Sequence, residues 1–254
     1  MNPRLLLSSL ALAAGLVTGA TTAVAAETPS VVIVHGAFAD GSDFAKVIAL
    51  LQAKGIHVTA VQNGLESLAS DAATTRRVIA NQKGKVVLVG HSWGGAVITE
   101  AGASDQVAAL VYVAAFAPDV GQSVGEMGKG YPVPPGITKL QADSQGYLTL
   151  PADALAENFA QDVPAAQAAV MAATQGPIQA KAFDEKLDTA AWQTRPSWYI
   201  VGSNDRMISP DLERAMAKKI GATVTTLPTS HVPQQSRPAD VAEVILAAVK
   251  ASTK

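Results

Sequence analysis

The chain has 254 residues, of which 48% are hydrophobic and 16% charged, with a formal net charge of −2. This composition is too apolar for a disordered protein, and the length suits one large domain or two small ones. Lysine and arginine are scattered along the chain, so a nucleic acid is not expected as a partner. There is no cysteine, and none of the four histidines stands in the spacing of a metal site, so neither a disulfide nor a metal is expected.

The first 26 residues have the composition of a bacterial signal peptide. Arg4 is followed by an apolar run over residues 5–19 and then by small residues at 23–26, which suit the −3 and −1 positions of a signal peptidase site. An apolar run of about 15 residues is short for a bilayer span, so stable membrane anchoring is not expected. The sequence predicts a signal peptide over 1–26, a mature domain over 27–254, and export to the periplasm or the medium.

After the signal peptide, short β-branched runs alternate with longer helical stretches. Strands are predicted at residues 31–34, 57–61, 85–89, 107–114, 198–201 and 223–227. Helices are predicted at 42–53, about 71–81, 93–101, about 210–220 and about 238–250. Apolar strands without polar alternation are those buried on both faces, so the sheet is expected to be parallel and covered by helices. The predicted fold class is therefore α/β, with a doubly wound, mostly parallel sheet.

A segment at about 118–191 interrupts this alternation. It begins rich in glycine and proline, and then becomes alanine-rich, with large apolar residues at helix-like intervals: Phe159, Val163, Val170, Met171 and Phe183. About 70 residues is far too long for an ordinary connection between a helix and a strand. The sequence therefore predicts an inserted helical cap.

The sharpest motif is Gly-His-Ser-Trp-Gly-Gly at 90–95, directly after the third predicted strand. A serine on a tight strand-to-helix turn adopts a strained backbone, and glycines two residues before and after it remove the collisions that side chains would make there. The motif predicts Ser92 as a nucleophile at the carboxyl edge of the sheet. Glycine-rich dinucleotide and phosphate motifs are absent from the sequence, so no cofactor is expected.

A serine nucleophile needs a general base, and His231 is the predicted one. It follows the last predicted strand, in a loop that can reach the same sheet edge as Ser92. His35 is expected to brace the loop after the first strand, and His57 to lie at the surface. His91 is expected to point away from its neighbour, the nucleophile.

The orienting carboxylate has two candidates. Asp205 follows the penultimate strand, about 26 residues before His231, and gives the chain order Ser, Asp, His that this architecture uses. Asp119, after the fourth strand, is the rival. Asp205 is the preferred acid, although an aspartate there could also serve a turn or a helix cap.

The oxyanion of an acyl-transfer reaction needs two donors. One is predicted to be the N–H of Trp93, directly after the nucleophile. The other is predicted to come from the loop after the first strand, with Ala37 as first choice and Phe38 as second. Candidate walls of the substrate pocket are Phe38, Trp93, Phe116 and Met207.

With these residues assigned, the mature chain resembles the α/β-hydrolase family from Val31 to the last helix. The run Val-His-Gly-Ala-Phe-Ala-Asp-Gly-Ser at 34–42, and His231 followed by Ser-Arg-Pro at 236–238, are similar to its small-capped branch, which includes plant methylesterases and hydroxynitrile lyases. The resemblance implies ester hydrolysis through an acyl-enzyme, carried by Ser92, Asp205 and His231. The lyases carry a lysine directly after the catalytic histidine, where this chain has Val232, which argues against cyanohydrin cleavage.

The sequence thus predicts a cofactor-free serine hydrolase for carboxylic esters of small or medium, apolar small-molecule substrates. One alternative is that the same three residues perform lactone, amide or C–C hydrolysis, or perhydrolysis. The other is a ligand-binding protein that retains the fold without catalysis. The sequence does not indicate the oligomeric state.

Overall fold

A computed structural model describes residues 28–253, so the predicted signal peptide lies outside the described residues. Its strands are β1 Ser30–Val34, β2 Val58–Val61, β3 Val86–His91, β4 Val107–Val113, β5 Gln141–Ala142, β6 Tyr147–Thr149, β7 Ile178–Gln179, β8 Ser197–Gly202 and β9 Thr223–Leu227. Six of them form one sheet in the order β2-β1-β3-β4-β8-β9. Every neighbouring pair in it is parallel, which confirms the predicted fold class.

The helices follow the strands close to the predicted positions. They are α1 Ala45–Gln52, α2 Leu68–Ala80, α3 Trp93–Ala101, α4 Val124–Met127, α5 Ala152–Ala154, α6 Ala165–Thr174, α7 Pro210–Lys219, α8 Pro233–Ser236 and α9 Pro238–Ala251. Helix α2 begins three residues earlier than predicted because the Ser67 side chain accepts the N–H of Ser70 and caps it. None of the helices within 28–253 has the length and apolar character needed to cross a membrane.

Helices cover both faces of the sheet. On one face, α1 and α9 pack against alternate strand residues such as Val31, Ile33 and Val89. On the other face, α2, α3 and α7 pack against the intervening residues, such as Val32 and Leu88. Because successive strand side chains point to opposite faces, burial on both sides explains the apolar runs of the inner strands, such as β1 and β3. The edge strands β2 and β9 contain threonine; β2 is mostly half-buried and β9 mostly exposed.

The segment between β4 and β8 forms a cap over the carboxyl edge of the sheet. It contains α4, α5, a π-helical turn at Leu155–Phe159, and α6. It also contains a three-stranded antiparallel sheet in the order β5-β6-β7, which the sequence does not predict. Strands of two or three residues are too short to produce an alternating pattern in the sequence.

Candidate active site

Ser92 lies at the turn between β3 and α3, where its backbone has φ 52° and ψ −119°. Positive φ at a residue other than glycine costs about 1–3 kcal/mol and persists where the surroundings fix it. Here the Ser92 carbonyl oxygen accepts the N–H groups of Gly95 and Phe116 at 3.0 and 3.1 Å. A Cβ on Gly90 would lie 2.5 Å from the carbonyl oxygen of Gly94, so the turn requires the glycine that the motif supplies.

Asp205 and His231 form a buried hydrogen-bonded pair. The distance from His231 Nδ1 to Asp205 Oδ2 is 2.5 Å, and both side chains are at most 1% exposed. The second carboxylate oxygen of Asp205 accepts the backbone N–H groups of Met207 and Ile208 at 2.6 and 3.0 Å. The aspartate is therefore fixed in orientation, and its acceptance from Nδ1 leaves the lone pair of the imidazole on Nε2.

Ser92 and His231 open onto the same cavity. Within residues 28–253, no hydrogen bond joins the Ser92 hydroxyl to the His231 imidazole. The side chain to which the imidazole is hydrogen-bonded is that of Asp205. Catalytic hydrogen bonds are often long before substrate binds, so this arrangement is compatible with proton transfer between the two residues.

Asp119, the rival acid, is engaged elsewhere. Its carboxylate accepts the backbone N–H of Val120 and the side-chain amide of Gln193, each at 2.9 Å. These contacts hold it at the start of the cap, whereas Asp205 is the carboxylate that contacts His231.

The other three histidines have separate surroundings. His35 accepts the N–H of Asn63 at 3.0 Å and thereby braces its loop, as the sequence predicts. His57 is exposed.

His91 is buried behind His231: its Nε2 donates to the His231 carbonyl oxygen at 2.8 Å. Burial, followed by the nearby charge of His231, lowers the pKa of His91 well below its usual value, which leaves it a neutral support for the loop that carries His231.

The cavity has a volume of about 460 Å³ and is lined mainly by apolar side chains. The core and the cap both contribute to it, through Ala37, Phe38, Phe116, Val124, Tyr131, Val133, Ile137, Leu140, Leu148, Phe183 and Met207. Three of the predicted walls, Phe38, Phe116 and Met207, are therefore correct. The fourth is wrong: the Trp93 ring is buried in the core, where its indole N–H donates to Asp71 Oδ2 at 2.9 Å.

The loop after β1 offers a free amide beside the nucleophile. The N–H of Phe38 donates to the carbonyl oxygen of Gly176 at 3.1 Å. In the part of the chain that the structure describes, the N–H of Ala37 has no backbone acceptor. Trp93 is the first residue of α3, and the first N–H groups of a helix have no acceptor within it. The two unoccupied amides are those that the sequence favours as donors.

Three acids near the site have no signal in the sequence. Asp71 accepts the N–H of Leu65 at 3.1 Å as well as the Trp93 indole, and burial raises its pKa. Asp162 accepts the N–H of Ser230, next to His231, at 2.9 Å. The third acid, Glu213, lies in α7. Isolated acidic residues in helices and loops usually mark a solvated surface, so only the folded contacts reveal these three.

Comparisons with known proteins identify the family and the fold. A family model described as the alpha/beta hydrolase family matches residues 31–244. The pyrethroid hydrolase of Sphingobium wenxiniae is 28% identical over 252 residues, which cover 85% of each chain. Two solved structures share the fold: polyneuridine aldehyde esterase has a TM-score of 0.76 at 20% identity, over 87% of this chain and 99% of its own. A methylesterase from Arabidopsis has a TM-score of 0.72 at 20% identity, over the same shares. The chain belongs to the alpha/beta hydrolase family.

Proposed function

We propose that this protein is a serine hydrolase that cleaves carboxylic esters of apolar substrates through an acyl-enzyme, with Ser92 as nucleophile. His231 is the general base, and Asp205 orients it. The observation that carries the proposal is the buried hydrogen bond of 2.5 Å between Asp205 and His231, at the wall of the cavity onto which Ser92 opens.

The chemistry follows from these positions. His231 Nε2 accepts the hydroxyl proton of Ser92 as Oγ bonds to the ester carbonyl carbon, and the carbonyl π electrons move to the oxygen. When this tetrahedral intermediate collapses, the bond to the alcohol oxygen breaks and the leaving alcohol takes the proton from His231. Water then attacks the acyl-enzyme by the same route and releases the acid. Asp205 remains ionised and stabilises the protonated imidazole.

The negative charge on the tetrahedral oxygen is assigned to the N–H groups of Trp93 and Ala37. Both amides are unoccupied at the site, whereas the N–H of Phe38 is bonded to Gly176. Preorganised donors of this kind are worth about 10²–10³ in turnover each.

The cavity supports an apolar ester as substrate. Its walls are aliphatic and aromatic, and Lys129 is the one lysine, arginine or acidic residue among the residues that line it. The relative from Sphingobium is a pyrethroid hydrolase, so a pyrethroid belongs in the panel of esters to be tested, beside aryl and alkyl esters of increasing chain length.

A fluorophosphonate probe tests the nucleophile. Wild-type protein is expected to be labelled at Ser92 and to lose ester turnover. Ser92→Ala is expected to lose the label and several powers of ten in rate. Ser209, the other serine that lines the cavity, provides the control: Ser209→Ala should still be labelled at Ser92. Wild-type protein that is neither labelled nor active on any ester would favour a ligand-binding role instead.

A further inference from the structure

Glu213 is a fully buried carboxyl group behind the Asp205–His231 pair. It lies in the first turn of α7, and its exposed fraction is 0%. Its Oε2 accepts the N–H of Gly202 at 3.1 Å, at the end of β8, where the turn that carries Asp205 begins. Its Oε1 is buried without a hydrogen-bond donor. An ionised carboxylate in this position would leave one oxygen unsatisfied, at a high cost in free energy.

The charges around Glu213 do not compensate a negative charge. Asp205 faces it from the turn after β8, and Tyr199 faces it from β8 itself. Arg214, next to it on α7, binds Asp211 at 2.7 Å and is about half-exposed. Burial, followed by the charge of Asp205, raises the pKa of Glu213 well above its usual value. The surroundings therefore favour the neutral acid.

Asp205 has room for one more donor. An ionised carboxylate offers about four lone-pair sites, and three hydrogen bonds already reach Asp205, from Met207, Ile208 and His231. A protonated Glu213 carries one O–H, and the Asp205 carboxylate is its neighbouring acceptor. This single hydrogen bond would satisfy both groups.

We propose that Glu213 is held as the neutral acid and donates its O–H to the Asp205 carboxylate, which makes it a positioning residue for the Asp205–His231 pair. The inference rests on the proposed function, because it assigns Glu213 a part in setting the basicity of His231. A donor on Asp205 disperses the carboxylate charge and so weakens its stabilisation of the protonated imidazole. Without this donor, the Asp205 carboxylate would stabilise the protonated imidazole more strongly.

An infrared measurement tests the protonation state without using activity. At neutral pH, the difference spectrum of wild type minus Glu213→Gln is expected to contain the carbonyl band of a protonated carboxylic acid. The matched control is Asp211→Asn, on the exposed side of the same helix, whose difference spectrum should contain carboxylate bands only. A Glu213 difference spectrum with carboxylate bands alone would overturn the proposal. Failure of the fluorophosphonate to label Ser92 would instead count against the proposed function and leave this band in place.

The pH dependence of kcat/KM tests the effect on His231. A glutamine at position 213 can accept from the Gly202 N–H and donate to Asp205. The acidic side of the pH profile (the acid limb) of Glu213→Gln is therefore expected to superimpose on that of wild type. Glu213→Leu removes the donor, and we expect its acid limb to move up by about half a pH unit or more, with kcat lowered about tenfold and KM unchanged. An acid limb that moves to lower pH in Glu213→Gln would mean that Glu213 is ionised in the wild type. An acid limb that does not move in Glu213→Leu would mean that the Glu213 side chain only packs. Either result overturns the proposal. If Glu213→Leu does not fold, the glutamine variant and the infrared band still decide.

Discussion

The N–H of Phe38 donates a hydrogen bond to the carbonyl oxygen of Gly176, 3.1 Å away, and so joins the loop after β1 to the cap. Phe38 has a φ of 60°, a conformation that residues other than glycine rarely adopt. A second contact, from Gln179 N–H to the Leu65 carbonyl oxygen at 2.9 Å, holds the same part of the cap. The cap thus occupies the Phe38 amide and fixes the loop so that the Ala37 amide is left free.

The first prediction concerns the contact between Phe38 and Gly176. A Cβ on Gly176 would lie 2.9 Å from Leu65 Cδ1 and 3.1 Å from the Ala39 carbonyl oxygen, so Gly176→Ala displaces the cap from the loop. Because an oxyanion donor is worth about 10²–10³ in turnover, we expect a partial displacement to lower kcat about tenfold. Gly64→Ala, whose Cβ would meet nothing closer than 3.8 Å, is the control. Equal values of kcat for the two variants would contradict the assigned role of the cap.

The inner strands of the main sheet were predictable because they are buried on both faces. Burial of residues such as Val32 and Ile33 on opposite faces requires apolar residues at every strand position, and such runs stand out in a sequence. The elbow was predictable for a similar reason, since close approach at Gly90 and Gly94 permits only glycine. The small sheet of the cap was not, because strands of two or three residues are too short to show an alternating pattern and because β7 pairs with a strand distant from it in the chain.

Part of the site depends equally on distant contacts. The bond from the Trp93 indole to Asp71 spans 22 residues, and it turns the ring away from the cavity, where the sequence had placed it. The approach of Glu213 to the turn of Asp205 depends on how α7 packs on β8. Neither Asp71 nor Glu213 belongs to a motif, so residue spacing alone carries no signal for either contact.

The second prediction separates the two candidate acids. An amide at position 205 keeps the shape of the side chain but favours the wrong imidazole tautomer, which lowers turnover by about 10⁴ in a serine protease. We expect Asp205→Asn to lose at least about a hundredfold in kcat, and Asp119→Asn less than about tenfold. Steady-state kinetics on one ester make the comparison. A crippled Asp119→Asn beside an active Asp205→Asn would transfer the role to Asp119 and leave Ser92 and His231 unaffected.

The third prediction concerns stability against pH. The pKa of Glu213 is raised in the folded protein above its usual value near 4.5. Its contribution to the free energy of unfolding is therefore fully present below that value and is lost as the pH rises towards the folded-state pKa. Urea denaturation should show Glu213→Gln gaining stability relative to wild type from pH 5 to pH 9, with no such trend for Asp211→Asn. A constant difference between Glu213→Gln and wild type would contradict a raised pKa.

The fourth prediction concerns export. The apolar run and the small residues at 23–26 lead us to propose that a signal peptidase removes the leader. Protein expressed from the full gene in a bacterium and recovered from the periplasm should begin at Ala26 or Glu27 on N-terminal sequencing. Recovery of a membrane-bound form that retains Met1 would refute the proposal.

The fifth prediction concerns the cavity. Leu148 lies in β6 of the cap and lines the cavity of about 460 Å³, so Leu148→Trp should fill space on the cap side of the cavity. Val120 also belongs to the cap segment but is 53% exposed and does not line the cavity, so Val120→Trp is the matched control.

If substrates bind in this cavity, the added ring excludes large esters and leaves small ones unaffected. A difference of one or a few carbon atoms in an apolar pocket changes kcat/KM by about 10–200-fold. We therefore expect Leu148→Trp to lose at least about tenfold in kcat/KM for a bulky aryl ester or a pyrethroid, and less than about twofold for an acetate ester. The ratio of the two constants is the quantity to measure, because a general loss of folded protein lowers both equally. An unchanged ratio in a folded Leu148→Trp would place the substrate outside this cavity.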